Sequence, residues 1–420
     1  VSQCPFANLV DPRTYREGMP YRKLKEVRDA GAVVRMDDPI TGVPYWAVTR
    51  REELDYISKN PALFSSAERA PFPMEFDDWT IEEVHRKTII GMDPPEHQVV
   101  RRIVRQAFTP RNVDACEPKF REHARRIVDS VAARGECEFV EEVAAELPLI
   151  AILELLDVPI EDRKQFFDWT NTMIFADDPD MSVSEEAGQI ASAEVIAYAM
   201  NLAARYRENP GPGLLGALLE GEVKGRGISE EEFGWMFILI LVGGNESTRT
   251  VIAHGMRLLM ENPDQLRYLR DNPDRIPGAC EEILRYNTAF IAMRRTAMED
   301  LELGGQRIRK GDKMLLHYHT VNHDESVFGA DAMSFDVRRA ERMPDLYNQH
   351  RSFGIGQHFC IGSHLARLEL RIMMEEIVPR LKNPRFAEPP KFVQSFFVNA
   401  IKEMRIVFDP EPGAAAAGRA

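Results

Sequence analysis

The chain has 420 residues, 44% of them hydrophobic and 29% charged, with a formal net charge of −14 at pH 7. That length exceeds the usual single core of about 250–300 residues, so two domains or one large enzyme fold are both open. The acidic balance argues against nucleic acid as the main partner, and no run of about 18 apolar residues predicts a membrane span. The N-terminus, Val1-Ser2-Gln3-Cys4-Pro5-Phe6, has neither a signal-type apolar region nor an Arg-rich amphipathic pattern, which points to the cytoplasm. Cys4, Cys116, Cys137, Cys280 and Cys360 are odd in number and scattered, so no disulfide framework is expected.

In chain order, a helix is predicted from about Tyr15 to Ala30. Strands at Ala32–Arg35 and Pro44–Thr49 and a helix at Arg51–Lys59 follow. Ala70 to Met92 reads as a long irregular loop carrying Phe72, Met74, Phe76 and Trp79, either a lid over a ligand or a strap on the core. Asp93-Pro94-Pro95-Glu96 opens a helix on which His97 and Arg101 share a face. Amphipathic helices run from Val113 to about Glu208, with breaks expected at Gly135, Pro148, Pro159, Asp178-Pro179 and Asn209-Pro210-Gly211-Pro212. No shift in composition accompanies that last cluster. One domain over 1–420 is therefore expected, with frayed ends at 1–10 and 411–420.

Ser229-Glu230-Glu231-Glu232 is a capping box ahead of an apolar helix that Asn262-Pro263 ends. Its length, roughly 50 Å, would cross the whole molecule. In its middle, Gly243-Gly244-Asn245-Glu246-Ser247-Thr248 is poor helix material, since each Gly costs about 1 kcal/mol against Ala. A local widening that admits a ligand, or close helix packing, would each explain it. Glu282 and Arg285 are three apart on a further helix, Pro277–Tyr286. Strands are predicted around Arg294–Ala297, Leu301–Gln306, Lys313–Tyr318, Phe396–Val398 and Met404–Phe408.

The stretch Phe353-Gly354-Ile355-Gly356-Gln357-His358-Phe359-Cys360-Ile361-Gly362 presents one sulfur on a glycine loop ahead of a helix. Structural zinc, a catalytic Cys–His pair, a phosphate loop and a haem-iron ligand compete for it. Zinc lacks a second ligand cluster, the protease signatures are absent, and no Gly-Lys-Ser/Thr follows. A haem iron needs only the one thiolate.

This stretch resembles the cytochrome P450 haem-binding signature, F-x-x-G-x-x-x-C-x-G, position for position. Glu282-Ile283-Leu284-Arg285 is similar to the family's E-x-x-R, and Phe335-Asp336-Val337-Arg338-Arg339 to its F-D-x-x-R. Gly243–Thr248 is similar to its oxygen-activating helix segment, and His97-x-x-x-Arg101 to its propionate-binding pair. The resemblance implies a mainly α fold with small β-sheets (α+β), with haem b between a long central helix and the cysteine loop. Cys360 would be the axial ligand; His97, Arg101, Arg295 (chosen over Arg294) and His358 would meet the propionates, and Phe353, Gly354 and Gly362 of the loop would also bind the cofactor. Glu246 and Ser247 would serve proton delivery and hydrogen bonding to dioxygen, with Thr248 as a second hydroxyl; Ser247 stands where the family more often has Thr. Glu282, Arg285 and Arg339 would be structural.

By the same resemblance the pocket would draw on the Phe72–Trp79 loop, the Phe166–Phe175 region, Leu239 to Gly243, Phe290 to Met293 with Ile291 singled out, and Phe396 and Phe397, suiting a steroid, terpenoid or aromatic hydrocarbon. It implies a monomeric, cytoplasmic monooxygenase fed with NAD(P)H electrons by a ferredoxin and its reductase, with O2 as co-substrate. Arg101, Arg102, Arg105, Arg111, Arg351, Arg367 and Arg371 would face the ferredoxin. A haem-thiolate peroxygenase or sensor is the alternative, and a zinc or thiol protein without haem the remote one.

Overall fold

The computed structural model describes residues 9–38, 40–174, 178, 184–211, 213–223 and 226–411. Helix starts follow side-chain chemistry already visible in the sequence. Thr109 caps a helix with Pro110 at its first position, and Ser229 and Glu232 complete the predicted capping box. The helices that position the site are α1 (Arg51–Lys59), α2 (Glu96–Arg105), α3 (Pro110–Ala132), α4 (Glu146–Leu155), α5 (Arg163–Ile174), α6 (Glu185–Glu208), α7 (Glu230–Glu261), α8 (Ile276–Tyr286) and α9 (Ser363–Arg380). The long α7 is packed on by α4, α6, α8 and α9, which accounts for its apolar composition.

A five-stranded sheet flanks this helical body. It comprises β1 (Val33–Met36), β2 (Tyr45–Val48), β3 (Phe64–Ser65), β4 (Ala292–Ala297) and β5 (Lys313–His317), in the order β1-β2-β5-β4-β3. β5 runs parallel to β2 and antiparallel to β4. Successive residues of β4 face opposite sides of the sheet, so Arg294 and Arg295 have different surroundings. The fold is mainly α with small β-sheets, as expected.

Several predicted boundaries move for identifiable reasons. The first helix begins at Tyr21, because Gly18 takes a positive φ of 89° and Pro20 precedes the helix start. Pro148 does not break the chain; it lies in the first turn of α4, where its missing amide has no helical partner to lose. The segment Phe396–Val398 is not a strand: only Val398 bridges, to Phe290, and the strand lies at Ile401–Glu403. The loop at 70–92 carries a short helix, Asp78–Glu83, and two 3-10 turns, His85–Lys87 and Ile89–Gly91. The Asn209–Pro212 cluster separates helices within one apolar cluster, since Leu202 before it and Leu214 after it share that core.

The glycine pair of α7 answers both sequence readings at once. The helix is unbroken from Glu230 to Glu261, so no widening occurs. A Cβ on Gly244 would lie 2.7 Å from Ile152 Cδ1 of α4, which is close packing. A Cβ on Gly243 would meet nothing within 4 Å, which is open space.

Candidate functional site

The cysteine loop is shaped by two glycines rather than three. Gly354 and Gly356 have φ of 68° and 76°, in the left-handed region, whereas Gly362 takes an ordinary φ of −87°. Gly356 is also a contact point, because a Cβ there would lie 2.3 Å from the Ser58 carbonyl oxygen on α1. The Cys360 amide donates to the Phe353 carbonyl (2.9 Å), and the Phe353 ring lies under the Arg367 guanidinium at 4.4 Å. Cys360 keeps accessible surface although protein atoms pack densely around it. Burial raises its thiol above the ordinary value, opposed by the Gly362 amide and by the charges of Arg101 and Arg367.

Beside the loop, four nitrogen-rich side chains gather without an acid. His97 on α2 stacks near His358 with ring centroids 4.1 Å apart. Both ring nitrogens of His97 are buried without a hydrogen-bond partner, while His358 reaches the Ser66 hydroxyl at 3.2 Å. Burial and the nearby Arg101 and Arg295 hold His97 down to about 4. Burial and Arg295, His97 and Arg101 hold His358 down to about 2. The Arg101 guanidinium donates to the Phe359 carbonyl, and Arg295 donates to the Arg294 carbonyl at 2.6 Å. A carboxylate close enough to act on His97 and Arg295, Asp93, already accepts from the Ser66 amide (2.9 Å) and the Ser65 hydroxyl. Arg294, on the other face of β4, is committed to Glu75 at 3.0 Å, and Lys313 donates to the same carboxylate at 2.8 Å. Buried cations and donors without an anion are costly. An anionic group is what this cluster lacks.

On α7, Leu239, Gly243 and Ser247 follow one another at helical spacing and keep accessible surface, though most of the helix is buried. The Ser247 hydroxyl donates back to the Gly243 carbonyl at 2.7 Å. Thr248 is 4% exposed and turned into the packing, so it does not share this face. Glu246 is buried too and pairs with Arg249, which donates to Asn171 of α5 at 2.7 Å. Asn245 reaches the Thr170 hydroxyl of α5 at 3.2 Å. The sequence reading missed Arg249 and Asn171; an i, i+3 Glu–Arg pair on a buried helix was the available signal.

The aromatic wall is narrower than expected. Phe397 packs against Phe72 (5.3 Å between centroids) and Phe290 (5.0 Å), and Phe72 continues to Phe76 (6.3 Å) and His85 (5.1 Å). Three expected lining residues do not join it. Trp79 is 67% exposed on the short helix Asp78–Glu83 and has no ring partner among the described residues. Ile291 has 0% exposure and no surface to offer a ligand, so Phe290 is the member of the expected Phe290–Met293 stretch that joins the wall. Phe396 points the opposite way from Phe397 and packs on the core formed by Leu24, Tyr45 and Leu315. In the Phe166–Phe175 region, Phe166 is wholly buried and Phe175 lies outside the described residues.

Beneath the loop, Glu282, Arg285 and Arg339 are 0–1% exposed. Arg285 grips Glu282 through two bonds of 2.6 and 2.8 Å, and Arg339 adds a contact at 3.0 Å. Arg285 also donates to the carbonyls of Asn322 and Ala332 (2.7 and 2.8 Å), which ties the following loops to α8.

The comparisons with known proteins agree with this geometry. The family model described as cytochrome P450 matches residues 135–406. The chain belongs to the cytochrome P450 family. A steroid C26-monooxygenase of Rhodococcus jostii is 35% identical, covering 97% of this chain and 85% of that protein. A linalool 8-monooxygenase of Pseudomonas putida is 33% identical, covering 96% and 99%. Among solved structures, a Mycobacterium marinum cytochrome P450 in complex with pseudoionone superposes with a TM-score of 0.87 at 30% identity, covering 97% of this chain and all of that one.

This P450 is thus a haem monooxygenase that acts on hydrophobic substrates. The donor set fits a cysteine-ligated haem: an accessible cysteine, a buried cluster wanting anions, and room beside Gly243. The zinc reading finds no group of three or more His, Cys, Asp or Glu placed to hold a metal among the described residues, and His364 is bonded to Asp114 at 2.8 Å. No helix among the described residues is long and apolar enough to cross a membrane. The expected ferredoxin face also shrinks. Arg351 is paired with Asp55, Arg367 with Glu281 and Arg371 with Glu117, leaving Arg102, Arg105 and Arg111 as the exposed cations of the set.

Proposed function

We propose that this protein uses NAD(P)H-derived electrons and O2 to insert one oxygen atom into an unactivated C–H bond of a steroid- or terpenoid-like molecule. The observation that carries this reading is the pairing of the Cys360 loop with the anion-seeking cluster of His97, Arg101, Arg295 and His358. The monooxygenases of R. jostii and P. putida, named for a steroid and for linalool, and the Phe72–Phe397–Phe290 wall support the substrate class.

A haem b on Cys360 would supply dioxygen activation, because a thiolate ligand favours O–O cleavage. The protein's own residues do the rest. His97, Arg101, Arg295 and His358 would hold the two propionates, whose charge would satisfy donors that are otherwise stranded. The Gly362 amide holds the sulfur by a hydrogen bond. Gly243 leaves space for small reactants and Phe72, Phe290 and Phe397 keep water from the substrate. The Ser247 hydroxyl leaves the Gly243 carbonyl by rotation about χ1 and donates toward the open face. Glu246 supplies protons behind it, through water or after release from Arg249.

Separate redox proteins, a ferredoxin and its reductase, deliver the electrons, with Arg102, Arg105 and Arg111 offering an acidic partner its contacts. The unpaired Cys116, Cys137, Cys280 and Cys360 suit a reducing cytoplasm. One apolar core drawing residues from Ile89 to Phe408 supports reading the chain as one domain.

The reduced protein under carbon monoxide tests this reading. It is expected to show the red-shifted Soret band of a thiolate-ligated haem, and Cys360→Ala to lose it. A band that persists in the variant removes Cys360 as the ligand, and its absence from the wild type removes the proposal.

A further inference from the structure

We infer that His85 is a polar recognition point in the aromatic wall, and that the substrate carries a hydroxyl or carbonyl oxygen that bonds to it. This rests on the monooxygenase reading above and narrows its substrate class to oxygenated hydrophobic molecules.

The imidazole of His85 lies 4.3 Å from the Phe76 ring and 5.1 Å from the Phe72 ring. Phe72 in turn meets Phe397, the ring shared with Phe290. His85 is thus the one member of this wall with hydrogen-bonding atoms. Its Nε2 is buried without a partner, and no side-chain hydrogen bond of His85 exists among the described residues. Burial alone holds it down to about 4, with no charged group contributing, so it is a neutral ring near pH 7. A neutral imidazole offers one donor and one acceptor, which matches a hydroxyl on both counts and a carbonyl on one.

The position is fixed by its backbone. The His85 carbonyl accepts from the Thr88 amide (3.1 Å) and the Thr88 hydroxyl (2.7 Å). A Cβ on Gly91 would come within 2.1 Å of that carbonyl oxygen, so the next turn is seated directly on it. The turn His85–Lys87 packs against α7, and Lys87 pairs with Glu231 of α7 at 2.6 Å. His85 is therefore held between the aromatic loop and the helix that carries Gly243 and Ser247. A buried polar atom without a partner is destabilising, and inside an apolar wall its natural partner is a ligand oxygen.

The test uses the holoenzyme and matched ligand pairs: linalool against 3,7-dimethyl-1,6-octadiene, and cholest-4-en-3-one against cholest-4-ene. Affinities are read by equilibrium dialysis and, in parallel, by the haem spin-state shift. The wild type is expected to bind the oxygenated member of at least one pair about tenfold more tightly, the scale of one well-made hydrogen bond. His85→Phe, which preserves the aromatic wall, is expected to abolish that preference by weakening only the oxygenated ligand. His85→Gln is expected to retain part of it. Equal affinities in the wild type, absence of binding by all four ligands, or a preference unchanged in His85→Phe would each overturn the inference. Those failures occur with the thiolate Soret band intact, whereas failure of the haem reading shows as loss of that band.

Discussion

Among the described residues the Ser247 hydroxyl has one partner, the Gly243 carbonyl 2.7 Å away. A serine reaches this arrangement without the methyl group that stiffens χ1 in threonine, so it exchanges between that carbonyl and the open face more freely. Thr248 cannot stand in, since it is 4% exposed within the packed side of α7. Removing the hydroxyl should leave ligand binding intact and damage proton supply, a contribution that usually runs to a hundredfold or more. Ser247→Ala is therefore expected to keep consuming NADH while product per NADH falls about tenfold or more and hydrogen peroxide rises. An unchanged product yield would show that Ser247 has no part in proton delivery. Glu282 illustrates a different residue-scale demand. With 0% exposure and two arginines on it, it belongs to a buried ion-pair network of the kind that costs several kcal/mol to break when one partner goes.

At the scale of elements, the cysteine loop owes its shape to two glycines that do different work. Gly354 needs only its positive φ, because the nearest atom to an added Cβ is the Tyr318 hydroxyl at 3.7 Å. Gly356 needs both its φ and its missing side chain, because α1 fills the space. Gly354→Ala is expected to cost about 1–2 kcal/mol of stability and to keep its haem. Gly356→Ala should push the loop off α1 and lower the haem-to-protein ratio well below that of Gly354→Ala. Equal haem occupancy in the two variants would refute this division. The loop was legible in the sequence because its chemistry is local: Cys360, His358 and the glycines sit within ten residues at fixed spacing. His97 and Arg101 were legible because helical spacing puts them on one face. The pocket was not, because Ile291 and Phe396 differ from their neighbours Phe290 and Phe397 only in which way an irregular backbone turns them. Trp79 was misread for a related reason, since the short helix Asp78–Glu83 turns its ring to solvent. His85 gave no local signal at all; its environment is assembled by Phe72 and Phe76 folding back on it.

Across the whole molecule, charge and burial set a consistent response to acid. His254, His317, His319 and His323 are all at most 2% exposed, and burial is the largest cause of the lowered value of each. They are neutral in the folded protein, where His254 and Asn399, and Asn399 and His319, form a connected buried network. In the unfolded chain each titrates near its ordinary value of about 6.5. As pH falls through that value the unfolded state takes up protons that the folded state refuses, so stability declines with falling pH until the folded values are reached. The limiting slope is about 1.4 kcal/mol per pH unit for each histidine. Denaturant unfolding of the holoenzyme at pH 7.0 and pH 5.5 is therefore expected to differ by on the order of 5 kcal/mol, with the acidic sample less stable. A stability that is level or rises between those two values would mean that the buried histidines are charged in the folded protein, and that the polar network around His254 and His319 is built differently.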